Sequence, residues 1–347
     1  MVRQVGAEGG GTQATQGGTL GGMRRNLYVR LLGTAQLTRL AMAVGAIGDV
    51  WFTVLFSRSI GEYSYLNVVK MSPVLALGIS ALVATGLFTF GASLNDLLDA
   101  RHDRTFSPEK PIPAGYVRPA TVGIVVTIAL ITSLLGALFF GIGALALTLI
   151  VAVGILFYNV VGKHVPAIGV VSVGIVSALH MLIPNYELTF TLPIWLTMTH
   201  STVVTLTIYM LVRKRPYLSR RSYIIIGASY LVWSAIILMT GWYQGQQLGW
   251  WPRGTSSTGI IWPILATIGF IVMMRLKTRR IDNRMAAEKL ARYGAMWQSV
   301  YAASWLLAVG MYDGAMLLFG LALVGFFLMT GMKEFGGLVT SPPRYRI

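Results

Sequence analysis

The chain has 347 residues, of which 55% are apolar and only 12% are charged; its mean hydropathy is +0.66 and its formal net charge is +16. A globular domain carries about 25% charged residues, so this composition excludes a soluble protein. The absence of cysteine excludes disulfides, zinc-thiolate sites, iron–sulfur clusters and cysteine nucleophiles.

The chain begins with a Gly-, Thr- and Gln-rich segment, 1–22, that predicts a flexible tail. Apolar runs of about 20 residues, enough to cross the hydrocarbon core, then predict a transmembrane domain over 23–333 and a short C-terminal tail over 334–347. The ten expected spans are 34–56, 71–94, 119–139, 141–160, 165–184, 189–212, 222–241, 258–275, 295–311 and 314–332. Little more than Tyr312 and Asp313 separates the last two, which could form a re-entrant pair, so nine spans are the alternative. The predicted fold is an all-α polytopic membrane bundle.

Charge predicts the orientation of this bundle. With the N-terminus inside, the outer loops hold only Arg58, Lys70 and Arg253 of the 28 Lys and Arg residues. The positive-inside rule therefore places the N-terminus and three large loops on the cytoplasmic side of an inner or cytoplasmic-type membrane. These loops are 95–118, 213–221 and 276–294. Because the basic residues lie between apolar runs, we interpret them as facing membrane lipids rather than nucleic acid.

One cluster of side chains predicts chemistry. Acidic residues number only twelve, yet Asp96, Asp99 and Asp103 lie together at the inner end of the second span. If the helix continues past the membrane, Asn95, Asp99 and Asp103 share one face and Asp96 leans toward it. Such a cluster beside hydrocarbon needs a positive partner, and carboxylate and amide oxygens are the ligands that Mg²⁺ prefers.

The loop that follows supplies cations, namely Arg104, Lys110 and Arg118, around a Pro-Ile-Pro-Ala-Gly turn over 111–115. These cations can bind phosphate oxygens that the metal leaves unneutralised. The acidic end of the helix and the basic loop after it together predict a magnesium–diphosphate site at the inner interface. The alternative is a solvated loop in which the carboxylates pair with Arg101, Arg104 and their neighbours.

The pattern Asn-Asp-x-x-Asp-x-x-x-Asp, followed by basic-Pro-x-Pro-x-Gly, resembles the UbiA superfamily of intramembrane prenyltransferases. The resemblance covers most of residues 30–312 and includes the entry into the first span, Leu37-Thr38-Arg39-Leu40. It implies a bundle of nine core helices, with a tenth here. It also implies that Mg²⁺ holds a prenyl diphosphate between two Asp-rich motifs and that the prenyl group passes to an aromatic or other lipophilic acceptor.

The resemblance assigns roles to particular residues. Asn95, Asp96, Asp99 and Asp103 would form the first metal-binding and catalytic motif. Lys110 would stand where the family usually has arginine. These roles imply Mg²⁺ as the cofactor and a prenyl diphosphate and a lipophilic acceptor as the substrates.

The second Asp-rich motif of the family is missing from this sequence. The loop after the sixth span, 213–221, contains Arg213, Lys214 and Arg215 but no acid. Three interpretations remain open. These cations replace the second metal and bind diphosphate; or ionisation is lost, and the protein binds or moves a lipid or is a structural subunit of a membrane complex; or the cations only fix topology.

Other polar residues fall near the predicted site. Tyr158 and Asn159 close the fourth span at the inner face and are expected to reach it. Thr202, Thr205 and Tyr209 run down one face of the sixth span as a candidate acceptor pocket, with hydrogen bonding between helices as the alternative.

Two ionisable residues lie deeper in the predicted membrane domain. Asp49, inside the first span, is expected to face a central cavity or a polar partner, because an unpaired acid in lipid is costly. His180 lies near the outer end of the fifth span and is expected to be a buried, hydrogen-bonded side chain.

Overall fold

The computed structural model describes residues 35–108, 110–212, 216–245 and 250–340, and within these ranges it contains helices and no strands. Its ten long helices are α1 Ala35–Ser59, α2 Pro73–Phe106, α3 Pro119–Leu138, α4 Ile142–Val160, α5 Pro166–Met181, α6 Leu192–Val212, α7 Arg220–Gln244, α8 Ile261–Thr278, α9 Asn283–Ala308 and α10 Tyr312–Thr340. They coincide in order and position with the ten predicted spans. The prediction of an all-α polytopic bundle is therefore confirmed.

Seven of the described helices are long and apolar enough to cross a membrane, which indicates an integral multi-pass protein. The three others are α1, α5 and α9. Helix α5 has only 16 residues, α1 contains Asp49, and the first half of α9 is polar. All three line the interior of the bundle, where polar side chains can be accommodated.

The last two helices differ from their predicted starts and ends. Helix α9 begins at Asn283 rather than near 295, because the Asp282 carboxylate accepts a hydrogen bond from the Met285 backbone N–H at 2.9 Å and caps the helix. Helix α10 follows after a short turn and continues to Thr340, beyond the boundary predicted at 333. Two long helices replace the possible re-entrant pair. The predicted tail 1–22 lies outside the described residues.

Six helices form a closed ring around the interior: α1, α2, α4, α5, α6 and α9. Each packs against the next, and α9 packs back against α1. Gly45 and Gly48 of α1 lie directly on α9, because a Cβ on Gly45 would lie 1.7 Å from the Ala295 carbonyl oxygen and one on Gly48 would lie 2.3 Å from Ser299 Oγ. Small residues thus allow the two backbones to approach and close the ring.

Aromatic side chains fill the outer half of the ring. Phe52 and Phe56 of α1 stack at 5.6 Å between ring centroids, and Phe190 meets Phe56 at 5.2 Å and Trp305 at 5.4 Å. All four are buried in one apolar cluster. This cluster closes the outer end of the bundle, so the interior cavities described below lie on its inner side.

Candidate functional site

The inner end of α2 carries the acidic motif beyond the membrane core. The helix has 34 residues and is about 51 Å long, whereas the hydrocarbon core is about 30 Å thick. The helix is therefore long enough for its last turns to extend past the hydrocarbon core, and Asn95, Asp99 and Asp103 lie at intervals of four residues along them.

A buried lysine meets the first part of this motif. Lys163, in the short turn Gly162–His164 after α4, places Nζ 2.6 Å from Asp99 Oδ1 and 3.4 Å from Asn95 Oδ1. Its side chain is only 8% exposed. The Tyr209 hydroxyl donates to the Lys163 carbonyl oxygen at 3.0 Å and so fixes the turn against α6. An amide oxygen and a carboxylate thus converge on one fixed cation.

A second lysine meets the last carboxylate of the motif. Lys110 Nζ lies 2.9 and 2.8 Å from the two carboxylate oxygens of Asp103, which is itself buried. The loop turns back to this position through Gly115, whose φ is +76°. Asp96 lines a narrow cleft together with Asp103 and Lys110. The carboxylates of Asp99 and Asp103 are paired with lysines, whereas Arg101 and Arg104 are exposed.

The other predicted diphosphate ligands are either exposed or outside the described residues. Arg104 and Arg118 are both exposed. Arg213, Lys214 and Arg215 lie outside the described residues.

The predicted acceptor-pocket residues have separate positions. Tyr158 lines a cavity beside Asn95, together with the buried Asn159. Thr205 lines a deeper cavity, described next. Thr202 instead packs on α5, where a Cβ on Gly174 would lie 2.1 Å from its Oγ1.

Two adjoining cavities lead from the motif into the ring. The inner one, about 420 Å³, includes Asn95 and Tyr158 in its lining, and the deeper one, about 340 Å³, reaches Asp49. They share apolar walls that include Leu87 and Phe88. We refer to the two cavities together as the channel. The apolar walls suit a hydrocarbon chain, whereas the charged side chains of Asp99 and Lys163 lie beside the end of the channel at Asn95.

Asp49 lines the channel, as expected, and so does His180. His180 is buried, as expected, and its Nε2 has no hydrogen-bond partner among the described residues. The short helix α5 places this residue at the wall of the deeper cavity.

The motif can be tested for its fit to Mg²⁺. Among the described residues, no group of three or more His, Asp or Glu side chains is close enough to hold a metal ion. Asn95 and Asp99 do converge on a cation, the ammonium of Lys163, and their oxygens are of the kind that Mg²⁺ binds. Asp103 is turned toward Lys110 instead. The residues therefore fit one divalent ion at the point now held by Lys163.

Lys163 is a site residue that the sequence analysis missed. Its contact with Asp99 joins residues 64 positions apart, so no local spacing indicates it. The signal that could have found it is its position, because it is the single lysine between Lys110 and Lys214 and follows directly after an apolar span on the inner side.

Comparison with known proteins agrees with this fold. Residues 50–215 match the family model of the UbiA prenyltransferase family. A solved structure described as that of a digeranylgeranylglyceryl phosphate synthase in membranes has a TM-score of 0.52 and 18% identity, over 84% of this chain and 100% of that chain. No curated protein matches the sequence. The chain is thus similar to the UbiA prenyltransferase family over residues 50–215, and its overall fold is similar to that of the solved synthase.

Proposed function

We propose that this protein transfers a prenyl group from a prenyl diphosphate to a lipophilic acceptor, aromatic or lipid, within the membrane. The observation that carries the proposal is the junction of a charged site with an apolar channel: Asn95 lines the inner cavity and also contacts Lys163. A prenyl diphosphate has the same two parts, an anionic head and a hydrocarbon chain.

The side chains at the junction have distinct tasks. Lys163 and Lys110 bind diphosphate oxygens by charge-assisted hydrogen bonds. Asn95 and Asp99 hold the Lys163 ammonium in place, and Tyr209 holds its backbone. The allylic C–O bond breaks with its electron pair going to the diphosphate, whose charge the lysines stabilise. The acceptor then attacks the cationic carbon and passes its proton to the released diphosphate, while the apolar channel walls exclude water.

Mg²⁺ is proposed as the cofactor of this reaction. Asn95 and Asp99 would hold it, assisted by Asp96, with Asp103 as a further ligand if it leaves Lys110. When bound, the ion would supply additional positive charge to the leaving diphosphate. Asn95 and Asp99 now contact the Lys163 ammonium, which would be free to contact the diphosphate if they held the ion.

A second candidate is a non-catalytic relative that binds a lipid or serves as a subunit of a membrane complex. Two observations favour it. The loop 213–221 contains no acid, and Asp99 and Asp103 are both paired with lysines. Such a protein would bind the prenyl diphosphate but would not release pyrophosphate.

The test is the binding of geranylgeranyl diphosphate to the purified protein, with and without Mg²⁺, followed by pyrophosphate release when phenolic or lipid acceptors are added. We expect Mg²⁺ to strengthen binding and Asp99→Asn to weaken it about tenfold or more, because a charge-assisted contact is lost. Asp313→Asn, at an exposed position on α10, is the matched control and should have no effect. Binding without release would favour the second candidate. No binding at all would contradict the proposed function and would leave a subunit of a membrane complex as the remaining candidate.

A further inference from the structure

The channel ends in a polar chamber, which we define by Asp49, His180, His200, Ser201 and Gln298. These residues come from four helices of the ring, α1, α5, α6 and α9. Ala84 lines the same cavity and lies eleven residues before Asn95 on α2. At 1.5 Å per residue, the chamber lies about 16 Å deeper in the membrane than the acidic motif.

Two side chains in the chamber lack partners. Asp49 is 2% exposed and has no hydrogen bond or ion pair to any described residue. His180 is 8% exposed, and its Nε2 also has no hydrogen-bond partner among the described residues. Buried polar groups are nearly always hydrogen-bonded, and ionisable groups at membrane depth are rare and usually functional. These two side chains therefore indicate a bound ligand that provides their missing hydrogen-bond partners.

The other polar groups of the chamber already have partners. His200 Nε2 donates to the Gly294 carbonyl oxygen at 2.9 Å, and Gln298 Nε2 donates to Ser201 Oγ at 2.9 Å. The helix that carries Asp49 is held against α9 by the glycine contacts described above, so Asp49 has no room to rotate with its helix. The chamber is therefore rigid on three sides, and its unmet hydrogen-bonding capacity lies on α1 and α5.

We propose that the chamber binds a hydroxyl group at the far end of the lipophilic acceptor. This proposal rests on the proposed function. A hydroxyl donates its proton to the Asp49 carboxylate and accepts from the His180 Nε2–H, so one hydroxyl serves both side chains when the His180 proton is on Nε2. A carbonyl can only accept, and an ammonium can only donate.

The experiment compares two probes on the purified protein in lipid nanodiscs: radiolabelled hexadecan-1-ol and its methyl ether, which cannot donate. We expect the alcohol to bind about tenfold more tightly than the ether, the effect of a charge-assisted hydrogen bond. Asp49→Leu should abolish that preference, whereas His180→Leu should weaken the binding of both probes. Thr148→Val is the matched control, because it removes another buried hydroxyl, one that donates to the Ala144 carbonyl on α4 and does not line the channel.

Equal affinity for the alcohol and the ether would overturn the proposal and would indicate a chamber that holds only water. A preference that survives Asp49→Leu would overturn it as well. Binding of geranylgeranyl diphosphate is measured in the same preparations. If the unmodified protein does not bind this diphosphate, the proposed function is contradicted. If it binds the diphosphate but does not prefer the alcohol, only the proposed role of the chamber is contradicted.

Discussion

Lys163 connects two parts of the molecule that are remote in sequence. It is buried, it is ion-paired with Asp99, and its backbone is fixed by Tyr209. A buried ammonium carries a desolvation cost that its pairing with Asp99 must offset. A diphosphate brought to this point would find a cation already stripped of most of its water.

The variant Lys163→Met tests whether the Lys163 ammonium binds the diphosphate. Without Mg²⁺, we expect the affinity for geranylgeranyl diphosphate to fall about tenfold or more, because the ammonium no longer meets the phosphate oxygens. The affinity for Mg²⁺ itself should rise, because Asn95 and Asp99 lose their competing cation. Titration calorimetry measures both constants.

Lys70→Met is the matched control for this variant. Lys70 is exposed in the loop between α1 and α2, far along α2 from the motif, and both affinities should stay unchanged. If Lys163→Met left diphosphate binding intact, the lysine would be a structural partner of Asp99 and nothing more.

At the scale of elements, the contact between α1 and α9 is the closest helix pairing in the ring. Gly45→Ala would place a methyl group 1.7 Å from the Ala295 carbonyl oxygen, so the helices would have to separate. Overpacking of this kind costs about 1–3 kcal/mol. We therefore expect a clear fall in the temperature of thermal unfolding in detergent.

Gly227→Ala is the control for that prediction. Gly227 lies within α7, and a Cβ there would meet no atom within 4 Å. Because alanine also favours the helix, this variant should unfold at the same temperature or slightly higher. Equal destabilisation by both variants would mean that the close contact on α9 does not determine the effect.

At the scale of the whole molecule, orientation in the membrane can be measured directly, because the chain has no cysteine of its own. Ser257→Cys and Thr105→Cys place single thiols at exposed positions near the predicted outer and inner faces of the membrane. A membrane-impermeant maleimide should label Ser257→Cys in intact cells and Thr105→Cys only after permeabilisation. The opposite pattern would invert the predicted topology.

Hydropathy and charge predicted most of this architecture, since the ten helices follow the ten apolar runs. The start of α9 was missed because its first turns are polar, and a window that seeks hydrocarbon-length apolar runs ignores the capping residue Asp282. The four-residue spacing of Asn95, Asp99 and Asp103 predicted that they lie along one helix, and all three lie on α2. Residue spacing predicts neighbours only within one helix. It could not predict the contact with Lys163, which lies after α4.

The polar chamber could not be predicted from the sequence either, because its residues come from four different helices. Asp49 alone indicated an interior cavity. That His180 lines the same cavity depends on how α1 and α5 pack around the ring, and no pattern within either helix encodes that arrangement.

Closure of the ring by α9 has a consequence for how the protein is made. The ribosome adds about 220 residues between Ser59 and Asn283, which takes roughly 10–45 s at common rates of synthesis. Throughout that interval α1 waits in the bilayer without the partner that covers its glycine face. A chain that stalls before α9 leaves the ring open and Asp49 accessible to lipid, where an unpaired acid is energetically costly.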